Sequence, residues 1–261
     1  MPRSVSVDVL SKKGYMFQMK KFKLILDAAV KRKGGKAQLQ KLLTKPLSEV
    51  ELAAIPDERY LAQITRCVFN AGFHWRVVSA KWPGFEQAFH SFDLGVLLTK
   101  SPEEWEAYLE DTRIIRNWQK IETVFSNAAM IEEVASEHGS FAKFFAQWPV
   151  TDQVGLMRFL HKNGARLGGK TAQWFLRFTG KDSFILTGDV VSALIANGVE
   201  TNEKATSQRD LKNIQAAFNH WQQETQMPIT HLSKILSYSV GDNVPVDVLE
   251  GYQGSQTITK I

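Results

Sequence analysis

The chain has 261 residues, 44% of them hydrophobic and 23% charged, with a net charge of +5. That length supports one large domain or two smaller lobes with a substantial core. A single cysteine, Cys67, excludes an internal disulfide and a multi-cysteine zinc site, while the lack of a roughly 20-residue apolar run and of an apolar N-terminal signal core leads us to expect a cytoplasmic protein.

Charge is concentrated at the start. Residues 1–40 hold ten Lys or Arg against Asp8 and Asp27, a local charge of +8, which leaves −3 for the rest of the chain. Such a block suits nucleic acid, whose phosphates release counterions to clustered cations, or serves as a solubilising tail. Residues 1–19 carry no clear period. A helix is expected to Lys33, where Gly34-Gly35 breaks it before another helical turn or two. Pro56 separates two further helices, with Ser48 capping the first and Asp57 the second; Tyr60, Leu61, Ile64 and Val68 share one face.

After a break at Gly72, "HWRVVSAKW" reads as a helix stopped by Pro83-Gly84, and "GFEQAFHSF" as a short one. Ser101-Pro102-Glu103-Glu104 is a strong helix start: a cap, a first-turn proline, and acids at the positive helix end. That helix is expected to end near Asp111. "IIRNWQKIETVFSNAAMIEEVASEHG" predicts one long amphipathic helix finished at Gly139. Helices over "SFAKFFAQW", "DVVSALIANG", "SQRDLKNIQAAFNHWQQETQ" and "THLSKILSYSV" follow, flanking a helix–turn–helix in "VGLMRFLHKNGARLGGKTAQWFLRFTG". The stretch from Gly241 reads as a loose tail. No strand pairing stands out, so an all-α architecture of about ten helices is expected. Its divisions are a basic arm with a helix (1–50), a main helical domain (51–240) and a tail (241–261).

Two stretches carry chemistry. At Ala165–Gly169 the glycines permit a tight bend and close approach to a ligand, and the next helix begins there with its free N–H groups facing outward. With Arg166 and Lys170 beside it, this is either a phosphate site or a plain helix–helix turn. Asp189, before the apolar run of a later helix, is either an N-cap or a working carboxylate.

The glycine turn, with an aspartate about 19 positions after its lysine, resembles the helix-hairpin-helix DNA glycosylase superfamily. "FNAGFHWRVVSAKWPGFEQAFHSFD" (69–93) and "TRIIRNWQKIETVFSNA" (112–128) resemble 3-methyladenine DNA glycosylase I and its relatives. The resemblance implies a two-lobed helical bundle with a helix-hairpin-helix motif and an interlobe cleft. It further implies base-excision repair: hydrolysis of the N-glycosidic bond of an alkylated purine such as 3-methyladenine, after base flipping in double-stranded DNA. Trp75 then matches the stacking tryptophan, with Phe73 and His74 beside it in the base pocket. Asp189 matches the carboxylate that stabilises the oxocarbenium-like sugar. Arg166, Leu167, Gly168, Gly169, Lys170 and Thr171 form the phosphate-gripping turn.

The chain departs from the family pattern in three respects. Cys67 stands where well-studied members carry a Glu, Arg166 replaces the first glycine of the hairpin, and the zinc ligands of the chain ends are missing. No metal and no cofactor is therefore expected, and the protein is expected to act as a monomer without a membrane. Two alternatives stay open: a DNA-binding protein without catalysis, and a bifunctional glycosylase/lyase in which Lys170 is the nucleophile, as the matching lysine is in bifunctional relatives.

Overall fold

The computed structural model describes residues 7–10 and 16–252. Two short strands, β1 (Val7–Leu10) and β2 (Met16–Met19), precede α1 (Phe22–Arg32), α2 (Lys36–Leu42), α3 (Glu49–Ala53) and α4 (Asp57–Asn70). Then come α5 (Trp75–Ala88), α6 (Leu94–Leu98), α7 (Pro102–Glu106), α8 (Trp118–His138), α9 (Phe141–Gln147) and α10 (Gln153–Asn163). The chain continues through α11 (Gly169–Phe178), α12 (Gly188–Ala196), α13 (Gln208–Thr225), α14 (Ile229–Ser239) and α15 (Val246–Tyr252). The all-α expectation holds, with one addition. β1 and β2 pair antiparallel, Val7 opposite Met19 and Leu10 opposite Met16. Four residues per strand are too few for a two-residue period to stand out in sequence.

Within the described residues the chain forms two compact units, each assembled from distant segments. The first takes the residues up to Pro46, then Pro149–Val154, then those from Asp182 onward. Its core gathers Phe22, Phe184, Phe218 and Trp221; Phe184 and Phe218 stack at 4.6 Å and Phe22 meets Trp221 at 5.6 Å. The second unit takes Leu47–Trp148 and Gly155–Lys181. Its core is built round α4, in which every side chain from Tyr60 to Phe69 is buried. The Tyr60 ring lies 5.3 Å from Phe141 and 5.1 Å from Phe145. Each such ring, fully buried, contributes roughly 1.5–3 kcal/mol.

Local signals are realised where they are strongest. Ser48 and Ser101 both close capping boxes, and Gly139 ends α8 in the left-handed region at φ +83°. Other expectations are corrected. α5 continues through Pro83, because a proline removes only one helical hydrogen bond and the buried Val78, Trp82 and Phe85 hold the turns on either side. Gly84 is needed for a different reason: a Cβ there would sit 2.3 Å from the Arg113 carbonyl oxygen. α8 starts at Trp118 rather than Ile114, with Asn117 extended before it. Past Gly241 the tail holds a further helix, α15.

Asp57 does not cap its own helix. Its carboxylate accepts from the backbone N–H groups of Phe141 and Ala142, both at 2.8 Å, and so serves the start of α9. Part of the N-terminal basic block is likewise used internally. Arg32 donates to the carbonyls of Tyr238, Val240 and Gly241, and Lys33 to Asn243 and Val244. Cations are favoured there because the last carbonyls of α14 have no helical partners. No helix of the described residues is long and apolar enough to cross a membrane.

Candidate active site

The second unit contains a cavity of about 340 Å³, within the usual ~300–1,000 Å³ of small-molecule sites. One wall comes from the end of α4 and the start of α5: Cys67, Asn70, Ala71 and Trp75. The other is one face of α11: Lys170, Thr171, Trp174 and Phe178. Lys170, Trp174 and Phe178 are four residues apart, so they stack along one side of the helix. The buried residues Ala172, Phe175 and Leu176 occupy its other side. Trp174 and Phe178 lie ring on ring at 5.2 Å, and Trp174 is 38% exposed. Trp75 is half-buried on the opposite wall, with the Arg76 guanidinium 5.5 Å from its ring, so it is not a core tryptophan.

Cys67 forms part of this lining from a buried position. Burial pushes its thiol up to about 12, and Gln63 Nε2 lies 3.5 Å from its sulfur. The cavity therefore presents a neutral thiol at this point, not a carboxylate. A thiol whose folded value exceeds its ordinary 9.0 contributes stability that is complete below pH 9 and is lost as pH rises toward 12. Alkaline unfolding should thus become easier above pH 9, and Cys67→Ala should flatten that part of the stability–pH curve measured in urea.

Lys120 secures the lip of the cavity. From the first turn of α8, its buried ammonium donates to the carbonyls of Val68 at 2.8 Å, Phe69 at 3.3 Å and Ala71. It also lies 4.8 Å from the Phe73 ring centre. These are the orphan carbonyls at the end of α4, and the cation satisfies them. Burial, then repulsion from Arg166, lowers the lysine below its ordinary value. Phe73 and His74, both expected in the pocket, are outside its lining. Phe73 is exposed beside Lys120, and His74 caps α5 by accepting from the Arg76 N–H at 3.3 Å.

The glycine turn lies between α10 and α11. Leu167 is fully buried and anchors it. Asn127 brackets Ala165 from α8, accepting from its N–H at 2.8 Å and donating to its carbonyl at 3.2 Å. A Cβ on Gly168 would meet His161 Nδ1 at 2.9 Å, whereas Gly169, at φ +54°, faces open space. Lys120 and Asn127 belong to the 112–128 stretch that carries the sequence resemblance. They hold the cavity lip and the turn from the same helix.

Arg166 adopts φ +57°, the left-handed conformation that a glycine takes without cost. Its guanidinium donates to Gln119 Oε1 at 2.9 Å. Arg166→Gly should raise stability by about 0.5–1 kcal/mol by removing this backbone strain. If Arg166 contacts a phosphate, the same change should weaken DNA binding and reduce the salt slope by about 1. Thermal melting and a salt titration check the two halves separately.

Asp189 belongs to the first unit. It is not an N-cap: Thr187 caps α12, accepting from the Val190 N–H at 3.2 Å, and Asp189 is an exposed residue of the first turn. The structure thus brings Trp75, Lys170 and Thr171 together round one cavity, with Arg166 to Gly169 as the turn leading into it. Asn70, Ala71, Trp174 and Phe178 were not anticipated as lining. The spacing of Lys170, Trp174 and Phe178 is a sequence signal that points to three of that wall's positions. Among the described residues, no group of three His, Cys, Asp or Glu is arranged to hold a metal ion.

The second unit thus places an aromatic-walled cavity beside a glycine turn. Residues 54–164 match the methyladenine glycosylase family, a segment that includes Cys67 to Trp75 and Lys120 to Asn127 and stops before the glycine turn. Among solved structures, 3-methyladenine DNA glycosylase I from Staphylococcus aureus is 18% identical over 51% of this chain and 77% of its own, with a TM-score of 0.42. Another 3-methyladenine DNA glycosylase I is 24% identical over 46% of this chain and 77% of its own, at 0.41. The Methanocaldococcus jannaschii 8-oxoguanine glycosylase/lyase, solved with DNA, is 16% identical over 82% of this chain and 96% of its own, at 0.47.

Proposed function

We propose that this protein is a DNA base-excision repair glycosylase that hydrolyses the N-glycosidic bond of an alkylated purine, acting as a monomer on double-stranded DNA. The observation that carries this reading is the cavity wall from Cys67 to Trp75, which lies inside the segment matching the methyladenine glycosylase family. A base inside the stack is out of reach, so the damaged nucleotide turns out of the helix and enters the cavity. There, Trp75 and Trp174 offer π-faces for stacking, and alkylation makes the purine a better leaving group. Arg166 and the N–H groups opening α11 grip a backbone phosphate. As the C1′–N bond breaks, the sugar takes on positive charge. The Asp189 carboxylate stabilises it while a water oxygen bonds to C1′ and the water's proton leaves to the base or to solvent.

Duplexes containing methylated, etheno, deaminated and oxidised purines test this reading by mass spectrometry of the released bases. A free alkylated purine is the expected product. Binding without release of any base would reduce the protein to a DNA-binding module. The place of Lys170 in the cavity lining favours one further reading, in which its amine attacks C1′ as the base leaves, the C1′–O4′ bond opens to give a Schiff base, and β-elimination expels the 3′ phosphate and cuts the strand. Borohydride trapping decides it: a covalent adduct that disappears in Lys170→Gln means lyase chemistry, and no adduct means a monofunctional enzyme.

A further inference from the structure

Asp189, the proposed catalytic carboxylate, stands exposed in the first turn of α12, which raises the question of what fixes its position. The answer lies in the segment after α14. Gly241 has φ +64°, and a Cβ built on it would lie 2.5 Å from Asp189 Oδ1, 2.8 Å from its carboxyl carbon and 3.2 Å from Oδ2. The carboxylate therefore occupies the space that any larger residue at 241 would fill. Gly241 is required both for its left-handed backbone and for this close approach.

The segment that carries Gly241 is tied down over several residues. Arg32 Nε donates to the Tyr238 carbonyl at 3.0 Å, and its Nη2 donates to Val240 at 3.1 Å and Gly241 at 2.5 Å. Asn243 Nδ2 donates back to the Arg32 carbonyl at 2.9 Å. Lys33 donates to Asn243 Oδ1 at 3.1 Å and to the Val244 carbonyl at 2.8 Å. A planar guanidinium that spans three carbonyls holds the backbone more rigidly than a single contact can. One face of Asp189 is thus backed by a fixed backbone, and its side chain remains exposed on the other.

We propose that Gly241 and Arg32 are positioning residues for Asp189: Arg32 fixes the 238–241 backbone, and that backbone sets where the carboxylate charge stands. The inference rests on the reading of Asp189 as the group that stabilises the cationic sugar. A preorganised charge is effective in proportion to how well it is held where positive charge develops.

The test compares affinity for two abasic-site mimics in otherwise identical duplexes, one a pyrrolidine with a cationic ring and the other a neutral tetrahydrofuran. The wild-type protein should prefer the cationic ring, and Asp189→Asn should lose that preference. Gly241→Ala, which pushes the carboxylate aside, should lower the preference about tenfold while affinity for the tetrahydrofuran duplex stays unchanged. Arg32→Gln keeps the glycine and should lower it by a smaller factor, so the outcome does not depend on one substitution being tolerated. A merely structural role would weaken both duplexes alike. If Asp189→Asn abolishes the preference but Gly241→Ala and Arg32→Gln both retain it, the positioning role is wrong. If Asp189→Asn itself retains the preference, the catalytic reading of Asp189 is the one that fails.

Discussion

Replacing Asp189 with Asn should slow base release from alkylated duplex DNA by at least about a hundredfold and leave DNA affinity unchanged. The substitution keeps the shape of the side chain and removes only its charge. Asp189 is exposed in the first turn of α12, so the fold loses at most the helix-dipole interaction, about 0.3–1 kcal/mol. The rate loss follows because a sugar losing its base becomes cationic, and a fixed negative charge acts on that state and not on the starting nucleotide. Single-turnover release and a binding titration on the same duplex separate the two quantities. Release at the wild-type rate would remove Asp189 from the chemistry.

Lys120→Met should have the largest effect on stability, a loss on the order of 3 kcal/mol in urea unfolding. Methionine has nearly the same length but cannot donate. The carbonyls of Val68, Phe69 and Ala71 would lose their shared partner in a place that water reaches poorly. The offsetting gain is that an ammonium whose charged form is disfavoured by burial no longer has to be buried. Losing several charge-assisted bonds outweighs that gain. Because Ala71 and Trp75 line the cavity, the folded fraction of this variant should also bind damaged DNA less tightly. A variant as stable as wild type would show that the lip does not depend on this lysine.

The elements that were legible in the sequence are those set by neighbours within four residues. Ser48, Ser101 and Gly139 announce their helix ends because a cap is satisfied locally. The role of Asp57 is hidden for the opposite reason: its partners, Phe141 and Ala142, are more than 80 positions away. Pro83 reads as a stop because its local cost is visible in sequence, while the packing of Trp82 and Phe85 that overrides it is not. In the candidate site, Trp75 and Lys170 stand in family-like motifs, and both line the same cavity. Phe73 and His74 adjoin Trp75 in sequence but stand outside the lining, Phe73 exposed beside Lys120 and His74 capping α5. Lys120 could not be identified from sequence, since a lysine on an amphipathic helix reads as solvated until the carbonyls it faces are known.

The discontinuous make-up of the first unit bears on how the protein is made. α1 finds its partners, the carbonyls of Tyr238 to Gly241, about 206 positions later. During synthesis on the ribosome, the segments Leu47–Trp148 and Gly155–Lys181 of the second unit emerge well before α14 does. Non-local closure of this kind is slow because the chain between must first be brought together. A nascent chain halted near residue 220 should therefore carry a protease-resistant middle and a protease-sensitive α1, because α1 gains its partners only when the end of α14 has emerged.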